Sequence, residues 1–222
     1  MGKSGGGMSD LELIIANKNY SSWSFRPWIA LSHKRITFTE TFVRFNFEAG
    51  NPDIKALSPS GKVPVLKHGD VMVWESLAIL EYAAEVFPEK ELWPADFKAR
   101  ARARAVSAEM SSGFAALRGA CPMNMRRPVE KLAVDAAVKA DVARIVHLWR
   151  ECLDASGGPY LFGEFTIADA MYAPVVSRFG TYMLTQDAVA DAYGATLRET
   201  PAWQSWEADA LQEPWIVEED EI

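Results

Sequence analysis

Cysteine is scarce. Two residues, Cys121 and Cys152, stand far apart in a chain of 222. That is neither a disulfide framework nor the spacing of a metal site, and it suits a reducing, cytoplasmic setting. Cys152 falls on a helix-period apolar stripe, where a thiol packs rather than reacts. Basic charge is short as well: 23 Lys and Arg against 30 Asp and Glu leave a net charge of −7. Phosphate attraction needs concentrated Lys and Arg, so no nucleic-acid partner is expected. The one basic cluster is Arg100, Arg102 and Arg104. On a helix the first and last share a face and the middle one turns away, as on a solvated surface. No apolar run reaches about 18 residues, so no membrane span is expected either.

Hydrophobic residues make up 49% of the chain, enough to bury a sizeable core in one large domain or two small ones. Residues 1–9 read as a disordered extension or tag remnant. Met1–Gly7 (MGKSGGG) is too polar and glycine-rich for a signal peptide, and Met8 reads as a start. Gly2-Lys3-Ser4 ends like a phosphate loop but lacks the upstream glycine and the strand such a loop needs.

The remainder falls into two halves. Residues 11–17 (LELIIAN) are a short apolar run closed by a polar residue, which predicts a buried strand. A polar loop leads to a helix over about 24–35, with Pro27 in its first turn, where a missing N–H costs nothing. Residues 37–45 alternate Thr, Phe and Val as a strand does. Residues 50–62 carry Asn51-Pro52, Ser58-Pro59 and Ser60-Gly61, all loop signals. Two short strands, 63–67 and 71–74, flank His68-Gly69-Asp70, a tight turn, and a helix follows over 76–87. A crossover unit followed by a hairpin specifies a small α/β sheet over 10–87. Residues 88–95 read as a linker. Beyond it, over 96–222, helical periodicity replaces strand signals: Val138, Val142, Ile145, Trp149 and Cys152 lie on one face of a long amphipathic helix. Thr166-Ile-Ala-Asp169 is a capping box opening another helix, and Pro201 opens a last one carrying Trp203 and Trp206.

Three pieces of the first half carry chemistry. Tyr20-Ser21-Ser22-Trp23-Ser24-Phe25-Arg26 spans a strand-to-helix junction. A hydroxyl there either caps the helix or, helped by the helix N-terminus, holds a thiolate ionised. Lys62-Val63-Pro64 opens a strand with a proline. With an ordinary trans bond this is a turn; with a cis bond the preceding residue can pair its backbone with a peptide-like ligand, and Lys62 can neutralise a carboxylate. Glu75-Ser76 starts a helix after a strand. The pair caps the helix, and the same groups can recognise an α-amino acid end, the Ser and free N–H groups taking its carboxylate and the Glu its ammonium.

In order and spacing these pieces resemble the glutathione transferase superfamily over Leu11 to Trp215. The carriers are SSWSFR at 21–26, SPSGKVPVL at 58–66, WESLAILEY at 74–82 and TIADA at 166–170. The Ser-Ser-aromatic-Ser-x-Arg loop is most similar to the serine-type zeta and tau classes and their bacterial relatives. The resemblance implies a thioredoxin-like, glutathione-binding N-terminal domain and an all-α C-terminal domain. It implies Ser21, with Ser22 as the near alternative, as the thiol-stabilising hydroxyl. It implies Lys62 for the glycine carboxylate of glutathione, Val63 before Pro64 for the cysteinyl backbone, and Glu75 and Ser76 for the γ-glutamyl end. Thr166 and Asp169 match a folding feature of a core helix. Glutathione serves as co-substrate and no metal is required; a homodimer is expected.

The loop departs from the zeta pattern at Trp23, where that class has cysteine, and it lacks the catalytic cysteine of omega-type members. Thiol-disulfide chemistry is therefore disfavoured. The electrophile pocket is expected between the halves, on Trp23, Met110, Phe114, Leu117 and Arg118. The segment RGACPMNMRR reads either as a surface loop or as the place where Arg118 or Arg126 meets a ligand carboxylate. A glutathione S-transferase acting on a small hydrophobic or carboxylated electrophile is the leading function. A glutathione-dependent cis-trans isomerase of the maleylacetoacetate type and a non-catalytic interaction protein on the same fold are the alternatives.

Overall fold

The computed structural model describes residues 10–222. The extension expected at 1–9 lies outside the described residues. The first half runs β1 (Leu11–Ile15), α1 (Ser22–His33), β2 (Thr39–Phe42), α2 (Pro52–Leu57), β3 (Val65–His68), β4 (Val71–Trp74) and α3 (Ser76–Val86). The sheet order is β2-β1-β3-β4, with β1 parallel to β2 and the other pairs antiparallel. β1 is central because its side chains are apolar on both faces. Leu11, Leu13 and Ile15 enter the main core with α1 and α3, whereas Ile14 joins Val43, Ile54 and Val65 on the opposite face.

Three local expectations need correction. Residues 50–62 are not wholly loop: Pro52 stands at the first position of α2, where its fixed φ is preorganised, and Ile54 plugs the second core cluster. A helix of six residues with one buried side chain leaves no readable periodicity. The ladder of β3 begins at Val65, after Pro64, which has no N–H to donate. Finally, α1 starts at Ser22, so Pro27 sits in its interior rather than its first turn. Its missing N–H would have bonded the carbonyl of Trp23; that oxygen instead accepts from Ser76 Oγ at 2.7 Å. A hydroxyl from α3 thus repairs the break in α1.

The second half is helical: α4 (Phe97–Ser112), α5 (Ala115–Ala120), α6 (Ala136–Ser156), α7 (Ile167–Thr181), α8 (Ala188–Arg198) and α9 (Pro201–Gln212). The segment 88–95, read as a linker, is anchored to the second half. Leu92 and Trp93 are buried, and the Leu92 carbonyl accepts from the Ile167 N–H at 2.9 Å. The α6 stripe, Cys152 included, faces the core. α7 is mostly apolar on every face because it is the central helix: it packs on α1 and α4, and nearly every residue is buried. On the far side of α1, Phe25 stacks on Trp206 and meets Trp203 edge-on, which fixes α9 against the first half.

The N-terminus of α7 is held by one carboxylate. Asp169, fully buried, accepts from the Thr166 N–H at 2.8 Å, the Leu161 N–H at 3.0 Å and the Tyr193 hydroxyl at 3.0 Å. Burial raises this carboxyl to about 6 in spite of those donors. Replacing Asp169 by Ala strands four buried donors, these three and the Thr166 hydroxyl. The expected loss is roughly 3–5 kcal/mol of unfolding free energy, read from urea denaturation, with Tyr193→Phe losing much less. An Asp169→Ala variant as stable as the parent would contradict this assignment.

Candidate active site

The N-terminus of α1 faces a cleft between the two halves. There Ser21, Ser22 and Trp23 meet Lys62 and Val63 from the α2–β3 connection and Arg118 from α5. The cleft has two adjoining chambers. The larger, about 330 Å³, is walled by Tyr20, Ser21, Ser22, Phe45, Phe47, Met123 and Arg178, among others. The smaller, about 230 Å³, is walled by Pro64, Glu75, Ser76, Ser60 and Ser111. Trp23, Lys62, Val63 and Arg118 line both.

In the smaller chamber the Val63–Pro64 bond is cis, and Val63 lies outside the β3 ladder. Glu75 immediately precedes α3 with φ +68° and ψ 128°, a sparsely populated conformation for a residue with a Cβ. Its side chain is exposed, and among the described residues it has no ion-pair partner. Lys62 is likewise exposed, without an ion-pair partner among the described residues. The expectation for Ser76 changes. Its hydroxyl proton is spent on the Trp23 carbonyl, so a ligand carboxylate would be left to its backbone N–H and the first turn of α3.

The two serines differ. Ser21 donates to Ser24 Oγ at 2.8 Å, and Ser24 Oγ accepts from the Ala16 N–H at 3.3 Å. Ser22 Oγ accepts from Arg178 Nη2 at 3.3 Å, which leaves its own proton free and polarises the hydroxyl. Arg178 is 4% exposed, and burial lowers its guanidinium to about 10. Its other nitrogens hold the carbonyls of Cys121 and Pro174. Arg26 is 0% exposed and is also lowered, first by burial and then by the charges of Arg178 and Arg118. Its Nε donates to the Met171 carbonyl and Nη1 to the Ser22 carbonyl, and Nη2 has no partner. Arg26 lies 4.2 Å and Arg118 5.4 Å from the centroid of the Trp23 ring. Two guanidinium groups thus lie on one indole and a third, Arg178, on the neighbouring Ser22, and none of the three forms an ion pair with an acid among the described residues. Such an arrangement is expensive to bury and is ready for an anion.

The expected electrophile pocket is only partly met. Trp23 and Arg118 line the cleft, but Met110, Phe114 and Leu117 are packed into the core and line neither chamber. Their apolar helix spacing is that of core residues, and the kink at Phe114, with φ +55°, turns α5 so that Arg118 rather than its neighbours reaches the cleft. Arg126 does not offer itself to a ligand. It binds the carbonyls of Glu213 and Trp215 and the Tyr20 hydroxyl. Residues that the pattern analysis did not single out complete the larger chamber: Phe45, Phe47, Met123, Arg178 and Asp220. Arg178 has a readable signal, the lone cation of a mostly apolar helix; the others do not.

Among the described residues, no group of His, Cys, Asp and Glu could hold a metal ion, and no helix is long and apolar enough to cross a membrane. The family model described as the N-terminal domain of glutathione S-transferase matches residues 20–86. Glutathione S-transferase 1 of Dianthus caryophyllus is 33% identical over 161 residues, covering 70% of this chain and 72% of the relative. The maleylpyruvate isomerase of a Ralstonia species is 31% identical over 176 residues, covering 72% and 80%. Maleylacetoacetate isomerase of Rattus norvegicus is 30% identical over 161 residues, covering 71% and 73%. A solved glutathione transferase homolog from Burkholderia gl BGR1, with bound glutathione, superposes with a TM-score of 0.69 at 22% identity, over 90% of this chain and 97% of that one. The chain belongs to the glutathione S-transferase superfamily.

Proposed function

We propose that this protein is a glutathione-dependent enzyme whose thiolate attacks a small, carboxylate-bearing electrophile. The carrying observation is the pair of chambers, one suited to a zwitterionic peptide and the other cationic. Glutathione would lie with its γ-glutamyl end in the smaller chamber. Glu75 takes the ammonium, the Ser76 N–H and the first turn of α3 take the carboxylate, the backbone of Val63 pairs with the cysteinyl residue, and Lys62 meets the glycine carboxylate. The thiol then faces the N-terminus of α1 and the serine pair.

A free thiol has a pKa of about 8.5, so it is mostly protonated at neutral pH. The free proton of Ser22, polarised by Arg178, and the dipole of α1 stabilise the thiolate; Ser21 adds a second donor once its proton turns from Ser24. In the larger chamber, Arg118 and the Arg178–Ser22 pair hold a carboxylate and steady the negative charge that grows on the electrophile as the C–S bond forms. If that bond persists the reaction is a conjugation, the leading reading. If the adduct of a cis double bond rotates and then expels the thiolate, the reaction is a cis-trans isomerisation that consumes no glutathione. The cationic chamber favours weighing this second reading, since two of the similar proteins are named isomerases of maleyl compounds. Trp23 narrows the space for rotation, which keeps conjugation first.

Glutathione binding is expected to weaken about 10- to 100-fold in Glu75→Ala, the loss of one charge-assisted contact, as measured by calorimetry; an unchanged affinity would remove Glu75 from the site. Ser22→Ala should raise the pKa of bound glutathione by about one unit, and the Ser21→Ala, Ser22→Ala double variant by more. Thiolate ultraviolet absorbance against pH reads this directly, and a double variant with the parent titration would refute activation by these hydroxyls. Arg118→Ala should raise KM for a carboxylated electrophile about 10-fold while leaving a neutral one within about 2-fold. Equal effects on both would dismiss the anionic substrate. Supplying a cis-dienone dicarboxylic acid and following glutathione alongside the double bond separates conjugation from isomerisation.

A further inference from the structure

The segment after α9 does not trail into solvent. The Glu213 carboxylate accepts from the Lys18 N–H at 2.6 Å and from Asn17 and Asn19 at 3.3 Å. Arg126 holds the Trp215 carbonyl at 2.6 Å, and the Trp215 ring stacks on Phe42 at 5.2 Å. Val217 is buried. Glu221 Oε1 accepts from the Tyr20 hydroxyl at 2.6 Å and from Asn124 Nδ2 at 3.0 Å, and Arg127 binds the carbonyl of Ile222. Residues 213–222 therefore form a strap, tied at both ends, that runs beside the larger chamber. Between its ties, Asp220 contributes to the chamber wall, the sole acid among the residues that line it.

We propose that Asp220 is the anion gate of the larger chamber: its carboxylate competes with an incoming anion for the field of Arg178 and Arg118, and so determines how readily an anionic second substrate is admitted. The proposal rests on the functional reading above for the identity of that substrate, but the gate itself is a property of the chamber. Charged and titratable groups surround Asp220 from several elements. Arg178 on α7, Tyr182 just after it, and Glu219 and Glu221 on the strap interact with Asp220; Arg118 from α5 and Lys62 and Tyr20 from the first half line the same chamber, and Arg127, before α6, binds the adjoining Ile222. No contact ion pair joins Asp220 to Arg178 among the described residues, so the two charges sense each other across the chamber rather than closing it. Burial and the neighbouring glutamates raise the Asp220 carboxyl to about 6, with Arg178 opposing. The sign follows. Above that value Asp220 is charged and repels an anion; below it the gate is neutral and the cations act unopposed.

Ethane-1,2-disulfonate, an unreactive dianion that does not itself titrate, is the probe. It is titrated calorimetrically into the full chain, alone and with S-methylglutathione saturating the smaller chamber, at about pH 7.5 and about pH 5.5. The parent is expected to bind about 10-fold more tightly at the lower pH. Asp220→Asn should bind at the higher pH with the parent's low-pH affinity and lose the pH dependence, as should a variant ending at Val217. Glu219→Gln should keep it. Equal affinity and equal pH dependence in parent and Asp220→Asn overturns the gate, and so does failure of the disulfonate to bind any variant. Failure of S-methylglutathione to bind instead removes the functional reading, while the titrations without it still decide the gate.

Discussion

The site depends on Arg26. A guanidinium wholly withdrawn from water, with no acid beside it, is held by two backbone carbonyls, Ser22 at the start of its own helix and Met171 on α7. Those two bonds join the serine corner to the central helix of the second half. The same group lies on the Trp23 ring and so fixes the wall common to both chambers. Burying a cation this way is unfavourable unless its hydrogen bonds are met, and one nitrogen remains unmet. The unfavourable charge raises the positive potential behind the cleft.

From that corner the rest follows by proximity. α7 carries Arg178 to Ser22, α5 carries Arg118 to Trp23, and Ser76 repairs the proline break in α1 while its backbone faces the smaller chamber. Binding, activation and folding share the same few groups. Ser76 is the clearest instance: a residue that resembles a ligand contact spends its hydroxyl on the integrity of the helix whose N-terminus lines the cleft.

Much of this was legible in the chain. Strand and helix periods located the sheet, the long α6 stripe and the α7 capping box, because those signals are local and repeated along the sequence. The order of the serine loop, Lys62-Val63-Pro64 and Glu75-Ser76 pointed to one family because each motif sits at a strand or helix end, where backbone geometry and chemistry coincide. α2 escaped notice, since a six-residue helix has too few turns to show a period. Pro27 was misplaced because propensity favours proline in a first turn, and only the Ser76 contact makes its interior position tolerable. Met110, Phe114 and Leu117 look alike as apolar helix residues whether they face a pocket or a core, so the pattern could not sort them.

The sequence by itself determined the class of fold, the family and the local motifs of the smaller chamber, because these depend on neighbours close in the chain and on turn and cap chemistry. Only the tertiary structure decided the larger chamber. Arg178, Phe45, Met123 and Asp220 are far apart in sequence and converge because α7, the β2–α2 connection, the α5–α6 connection and the final strap close on one cleft. The tertiary structure also distinguished Ser21 from Ser22, since the difference lies in which distant partner each hydroxyl meets. Charge and packing between segments remote in the chain set these outcomes, and no local pattern encodes them.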